Sequence, residues 1–205
     1  MAPLPCHLAP GRYKRGAFAL TVRGVLSPAE ARALIDATEG RHEAAPLNGE
    51  RGCRASRTAA ACVVEDPDLA ARLFERLRGC LPAAPGGRRP LGLAPRVSFF
   101  RYAAGDYFKP HRPAPAAAGG GDVLATCVVH LNDDFAGGRV VLFSAAAMHE
   151  VAPAAGDALL VSHDVTREAP AVRAGVKHVL CADVVYGPPG GGRPPRPPRP
   201  EKRAA

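Results

Sequence analysis

The chain contains no tryptophan and only two methionines, and aromatic residues make up 5% of its 205 positions. A core built mainly on large rings is excluded, so packing must rest on Leu, Val and Ala. No segment approaches the roughly 18 uninterrupted apolar residues of a membrane span. The opening MAPLPCHLAPGRYKRG has no apolar stretch of the kind a secretory leader needs, so an intracellular, cytoplasmic protein is expected. The six cysteines (Cys6, Cys53, Cys62, Cys80, Cys127, Cys181) show no CxxC spacing. That argues against a zinc site and for reduced thiols. Acidic residues are scarce, 19 against 27 lysines and arginines, which leaves a net charge of +8. No helix-turn-helix or aromatic RNA-binding run accompanies this charge, so no specific nucleic-acid partner is expected.

Glycine and proline are plentiful, 22 of each. They punctuate a chain of single-domain length. Residues 1–16 read as a flexible N-terminus, 17–186 as one domain, and 187–205 (GPPGGGRPPRPPRPEKRAA) as an extended, disordered basic tail. Within the domain, 26–81 is expected to supply helical support and 91–186 a β core. Leu26-Ser27-Pro28-Ala29-Glu30 is a helix start, with Ser27 as cap, Pro28 at the first helical position and Glu30 closing a capping box. Asp66-Pro67-Asp68 opens a second helix, whose buried stripe is Leu69, Leu73, Phe74, Leu77 and Leu81. Strands are expected at 17–22, 97–102, 125–131, 139–143, 158–161 and 178–186. The fold class is therefore mainly β with packed N-terminal helices.

Few residues carry chemistry. Tyr102, Gly105, Tyr107 and His111 lie on a strand and the turn after it. Leu131 to Phe135 with Gly137-Gly138 is a hairpin signal, Gly156-Asp157 marks a turn, and Lys177 opens the last strand. One His, one Tyr and one Lys on adjacent strands can line one cavity. By residue type alone, a lone His on a strand is more often structural than a ligand.

Order and wording add more. FFRYAAGDYFKPH (99–111), HLNDDFAGG (130–138), VAPAAGDALLVSHD (151–164) and AGVKHVLCADVVY (174–186) together resemble the prolyl 4-hydroxylase-like group of iron(II)/2-oxoglutarate dioxygenases. The resemblance implies a double-stranded β-helix, or jelly roll, with helices packed on one sheet. It also implies Fe(II) held by two His and one carboxylate, 2-oxoglutarate as cosubstrate, ascorbate as reductant, and hydroxylation of a C–H bond in a peptide, protein or small molecule.

Position by position, His111 matches the first metal His, and Pro113 stands where the carboxylate belongs. Arg167, ten residues before Lys177, stands at the distal His. Lys177 and Tyr102 match the residues that grip the cosubstrate, and Cys181 stands where the group often has arginine. Two expectations follow from the resemblance. One is a hydroxylase impaired by the loss of two metal ligands. The other is a non-catalytic relative that binds an anion between Lys177 and Arg167 or serves as a protein-interaction module. His111, Arg167, Lys177 and Tyr102 are expected to converge on one cavity. With 163–167 extended, His163 would stand about 13 Å from position 167, and it would need a register slip or a loop to reach. His178 is expected on the opposite face of its strand. Asp122, Asp164 and Glu168 are spare carboxylates expected at turns or the surface.

Overall fold

The computed structural model describes residues 6–8, 16–44, 57–114 and 116–189. Two helices start where capping chemistry dictates. In α1 (Pro28–Thr38) the Ser27 hydroxyl accepts from the Glu30 backbone N–H at 3.2 Å, and the Glu30 carboxylate accepts from the Ser27 N–H at 2.8 Å. This reciprocal pair satisfies two N–H groups that the helix itself cannot. In α2 (Pro67–Leu77) the Asp66 carboxylate accepts from the Leu69 N–H at 2.8 Å. Arg76 of α2 reaches Glu30 of α1 at 2.6 Å, and this bond holds the Glu30 carboxyl down at about 2.

The strands are β1 (Cys6–Leu8), β2 (Ala19–Val22), β3 (Glu43–Ala44), β4 (Ala60–Glu65), β5 (Pro90–Tyr102), β6 (Phe108–His111), β7 (Ala116–Ala118) and β8 (Gly121–His130). They continue as β9 (Ala136–Gly137), β10 (Val140–Phe143), β11 (Met148–Val151), β12 (Ala158–Ser162), β13 (Thr166–Ala169), β14 (Val172–Ala174) and β15 (Lys177–Tyr186). The major sheet runs β1-β2-β12-β8-β15-β5-β4-β3, with β7 beside β8. The minor sheet runs β11-β10-β13-β6, and β14 pairs with β9. All pairings are antiparallel. Chain crossing repeatedly between two antiparallel sheets makes this a jelly roll.

The major sheet is buried on both faces. One face packs Val97, Phe99, Leu160 and Leu180 against Ile35 of α1 and Leu73 and Leu77 of α2. The other face turns toward the minor sheet, where Ala19, Leu159 and Val161 meet Val140, Leu142 and Val151. Beside this contact the sheets part and leave a cavity, which Val140 and Leu159 also line.

Gly156 fixes one corner of the roll. Its φ is +85°, and a Cβ there would lie 2.1 Å from the Leu26 carbonyl oxygen. The Leu26 N–H donates to the Gly156 carbonyl at 3.0 Å, so the two backbones cannot separate without losing that bond. Gly156→Ala should cost about 2–4 kcal/mol, combining left-handed strain with the clash. Chemical denaturation checks this, and a loss under 1 kcal/mol would contradict the corner's rigidity.

Several elements differ from the sequence reading. Cys6–Leu8 is an edge strand on β2, within a stretch read as flexible. Its pairing extends the sheet, a contact that composition does not signal. The rest of 1–15, and 190–205 of the tail, lie outside the described residues. β5 starts at Pro90, not 97, and β8 at Gly121. Leu81 is buried but lies beyond the end of α2. The segment read as a hairpin at 131–138 instead crosses between sheets, since β8 and β10 do not pair. Turn residues mark a reversal without naming the sheet that follows. Asn132 anchors that crossover by donating to the Val176 carbonyl and accepting from the His178 N–H, each at 2.7 Å. Among the described residues, Cys62, Cys127 and Cys181 are free thiols.

Candidate ligand-binding site

Alternation along the strands builds the cavity. On β15, Lys177, Val179, Cys181 and Asp183 face it while Leu180, Ala182 and Val184 face the helices. On β5, Arg96, Ser98, Phe100 and Tyr102 face it, and on β8, Thr126 and Val128. The minor sheet contributes His111, Arg167 and Val140. The cavity volume is about 590 Å³. His111, Pro113, Arg167, Lys177 and Tyr102 all line it.

His111 and Arg167 are direct Cα partners across β6 and β13. The His111 ring stacks on Phe108 with centroids 3.5 Å apart, and its Nδ1 donates to the Lys109 carbonyl at 2.9 Å. Burial, with Arg167 and Arg57 nearby, pulls its pKa down to about 4. The ring is neutral, and Nε2 carries its free lone pair. Pro113, two residues on, has no ligating side-chain atom.

Arg167 is 7% exposed. Its Nη2 donates to Thr126 Oγ1 at 2.9 Å, and Nη1 is buried without a hydrogen-bond partner among the described residues. Burial depresses its pKa to about 10, although Cys181 and Asp183 act in the opposite direction. Thr126 pairs across the strands with Asp183, six residues along β15 from Lys177, or roughly 20 Å of strand. The guanidinium is thus tied to Thr126, and its charge, like that of Lys177, is felt at Cys181. A long, flexible side chain took a hydroxyl partner that sequence spacing does not reveal.

Lys177 is 2% exposed, and its Nζ donates to the Gly138 carbonyl at 2.6 Å. The ammonium stands 5.2 Å from the Tyr102 ring centre and 6.0 Å from that of Phe135. Burial brings its pKa down to about 8. Among the described residues no carboxylate pairs with Lys177 or Arg167. Tyr102 is 5% exposed, and burial raises its phenol well above the ordinary range.

His163 overturns the distance argued from extended chain. Its Nε2 lies 3.1 Å from the same Thr126 hydroxyl that Arg167 contacts. The chain turns tightly here, with the Val165 N–H donating to the Ser162 carbonyl at 3.1 Å, so β12 passes into β13 within three residues. His163 therefore lines the cavity, as does Glu168. Asp122 instead pairs with Arg88, and His178 packs edge-on to His42, neither lining the cavity. Among the described residues no group of three or more His, Cys, Asp or Glu could hold a metal ion.

The sequence reading missed Asp183, Arg96, Thr126 and Arg57. The first was accessible: period-two alternation from Lys177 passes through Cys181 to Asp183. Burial raises the Asp183 pKa, partly countered by Arg167 and Arg96.

Three neutral histidines predict acid sensitivity. Burial holds His111 and His163 at about 4 and His130 at about 3, below the ordinary 6.5. Between these values and 6.5 the unfolded chain binds more protons than the folded one, so stability rises with pH across that window. The melting temperature should fall as pH drops from 6.5 toward 4, and His163→Gln should flatten part of the slope. A melting temperature flat across that range would contradict the burial of these rings.

No family model matches the chain, and no curated protein does. Solved structures do. A Pseudomonas putida prolyl-4-hydroxylase aligns at 17% identity over 82% of this chain and 91% of its own, with TM-score 0.59. A Trichoplax adhaerens prolyl hydroxylase, in complex with a hypoxia inducible factor peptide fragment, aligns at 14% over 82% and 83%, with TM-score 0.63. The non-heme alpha ketoglutarate dependent epimerase SnoN, from nogalamycin biosynthesis, aligns at 18% over 92% and 87%, with TM-score 0.59. The chain has the fold of the 2-oxoglutarate/iron(II) oxygenase superfamily, in its prolyl 4-hydroxylase-like form.

Proposed function

We propose that this chain binds a 2-oxo acid anion without a metal, in an oxygenase fold whose iron position is closed by arginine. The reading rests on one observation above all. Lys177 is a buried ammonium at the cosubstrate position, hydrogen-bonded to a carbonyl and beside two aromatic rings, with no carboxylate paired to it among the described residues. A buried cation with no counter-charge costs several kcal/mol. A carboxylate entering the cavity would supply that charge, and Tyr102 stands beside it.

The donors present do not fit iron. Pro113 offers no ligand atom. Arg167 places a buried cation on the strand partner of His111. A guanidinium 4 Å from a dication would repel it by about 8 kcal/mol at an effective dielectric near 20. Without iron no hydroxylation step is available, and ascorbate has nothing to reduce. Lys177 would hold the carboxylate through a charge-assisted hydrogen bond, and the apolar walls at Val128, Val179 and Leu159 would exclude water.

Titration of 2-oxo acids in excess chelator tests this. The affinity should be unchanged by chelator, constant below about 8 on the pH scale, and weaker above it as Lys177 loses its proton. The expected decline is up to tenfold per pH unit. No binding in chelator, or binding indifferent to pH through that range, would overturn the reading.

A further inference from the structure

One hydroxyl ties two side chains together inside the cavity. Thr126 Oγ1 accepts from Arg167 Nη2 at 2.9 Å and lies 3.1 Å from His163 Nε2. A guanidinium only donates, so the hydroxyl keeps its own proton to give away. Among the described residues His163 is the one acceptor within its reach. Thr126 therefore donates to Nε2, and the neutral ring carries its proton at Nδ1.

Two buried donors are left over. Arg167 Nη1 is one carbon removed from Nη2, and His163 Nδ1 is one carbon removed from Nε2. Both atoms are buried with no hydrogen-bond partner among the described residues. Arg167 is 7% exposed, and both side chains line the cavity. A buried N–H left unmade costs free energy, and more so on a charged group. The surrounding charges do not cancel the guanidinium. Asp183, the strand partner of Thr126, is felt at Arg167, but no ion pair joins them, and Arg96 also acts on Asp183. Glu168 lines the cavity without pairing with Arg167, Asp164 acts on His163, and His111 across the strand is neutral.

We propose that Arg167, seated by Thr126 and His163, binds the oxyanion head of an organic ligand at the position where the fold would otherwise hold iron. Nη1 offers a charge-assisted donor to that head, and the Nδ1–H of His163 stands beside it as a neutral one. The site is separate from Lys177 and does not depend on the 2-oxo acid reading. Thr126 pairs with Asp183, six residues along β15 from Lys177, or roughly 20 Å of strand. Size and lining argue for an organic ligand over a bare ion. A cavity of about 590 Å³ is of the size that holds whole small molecules. Val128 is the next cavity-facing residue on β8 after Thr126 and pairs with Leu159, so an apolar wall begins beside the donors. An apolar body attached to the oxyanion would lie against that wall. No bond is made or broken.

The experiment compares phenyl phosphate with inorganic phosphate by calorimetry in excess chelator. The proteins are the full chain and its Arg167→Gln, Arg167→Lys and Lys177→Met variants. Phenyl phosphate should bind at least about tenfold more tightly than phosphate, through burial of its ring. Arg167→Gln should weaken phenyl phosphate by at least about 30-fold, and Lys177→Met by less than about threefold. Arg167→Lys should recover only part of the loss, since it keeps the charge but cannot hold Thr126 and the ligand through separate nitrogens. Melting curves of each variant separate binding loss from unfolding. Equal affinity for the two probes would make this an inorganic-ion site and overturn the organic ligand. Binding that survives Arg167→Gln, or that Lys177→Met abolishes, would overturn the placement of the head. Failure of the unmodified chain to bind phenyl phosphate overturns the proposal and leaves the 2-oxo acid reading intact.

Discussion

Lys177→Met should weaken 2-oxo acid binding by at least 100-fold and, at the same time, raise the melting temperature. The two effects share one cause. The ammonium is almost fully buried, and burial has lowered its pKa from 10.5 to about 8. A lysine whose folded pKa lies below its unfolded value opposes folding wherever it is charged. That penalty is fully present below about 8, and it fades as pH rises toward 10.5. At about 1.36 kcal/mol per pH unit the shift corresponds to roughly 3 kcal/mol. Methionine removes the charge and keeps the volume. It forfeits the 2.6 Å bond to the Gly138 carbonyl, which returns about 1–2 kcal/mol of the gain. A net rise of a few degrees is expected. Between about 8 and 10.5 the unmodified protein should gain stability with pH, and the variant should not. Loss of binding with loss of stability would identify Lys177 as a packing residue instead. Thermal denaturation across that pH range, beside calorimetry, decides between them.

The second large effect is a gain. The double variant Pro113→Asp with Arg167→His should bind Mn(II) with micromolar affinity, whereas Pro113→Asp alone should not. His at position 167 would stand directly across from His111, since their Cα atoms are already strand partners. Asp at 113 would restore a carboxylate two residues beyond His111, on the cavity wall that Pro113 lines. The substitution at 167 removes the repulsion of about 8 kcal/mol and adds a donor in one step. The single Pro113→Asp variant keeps Arg167, which would pair with the new carboxylate. Should the double variant bind no metal, position 113 or 167 has been misassigned. Recovery of binding in the single variant would show that Arg167 swings aside at little cost.

Local chemistry made much of the fold legible. Ser27 with Glu30, and Asp66 before Pro67, announced both helices, because capping uses residues three apart and needs no tertiary context. The alternation of β15 placed Lys177 inside and His178 outside. What escaped depended on geometry that spacing does not carry. His163 reaches Thr126 because the chain turns at 163–165. Arg57 is separated from the motifs by β4 and α2, and the bridge to Phe108 brings it into the wall. The short strands β6 and β13 are too brief for a pattern, although their pairing sets His111 against Arg167. Arg167 lines the cavity as expected, and its guanidinium donates to a threonine hydroxyl that spacing does not reveal.

The central claim is that the cavity holds its ligand through protein cations and not through a metal. The most direct measurement is an anaerobic titration of 2-oxoglutarate into the unmodified chain by calorimetry, once in chelator and once with Mn(II) as a redox-inert surrogate for iron. The account predicts the same affinity in both titrations and no heat from Mn(II) added alone. Micromolar binding that appears only with the metal would contradict it.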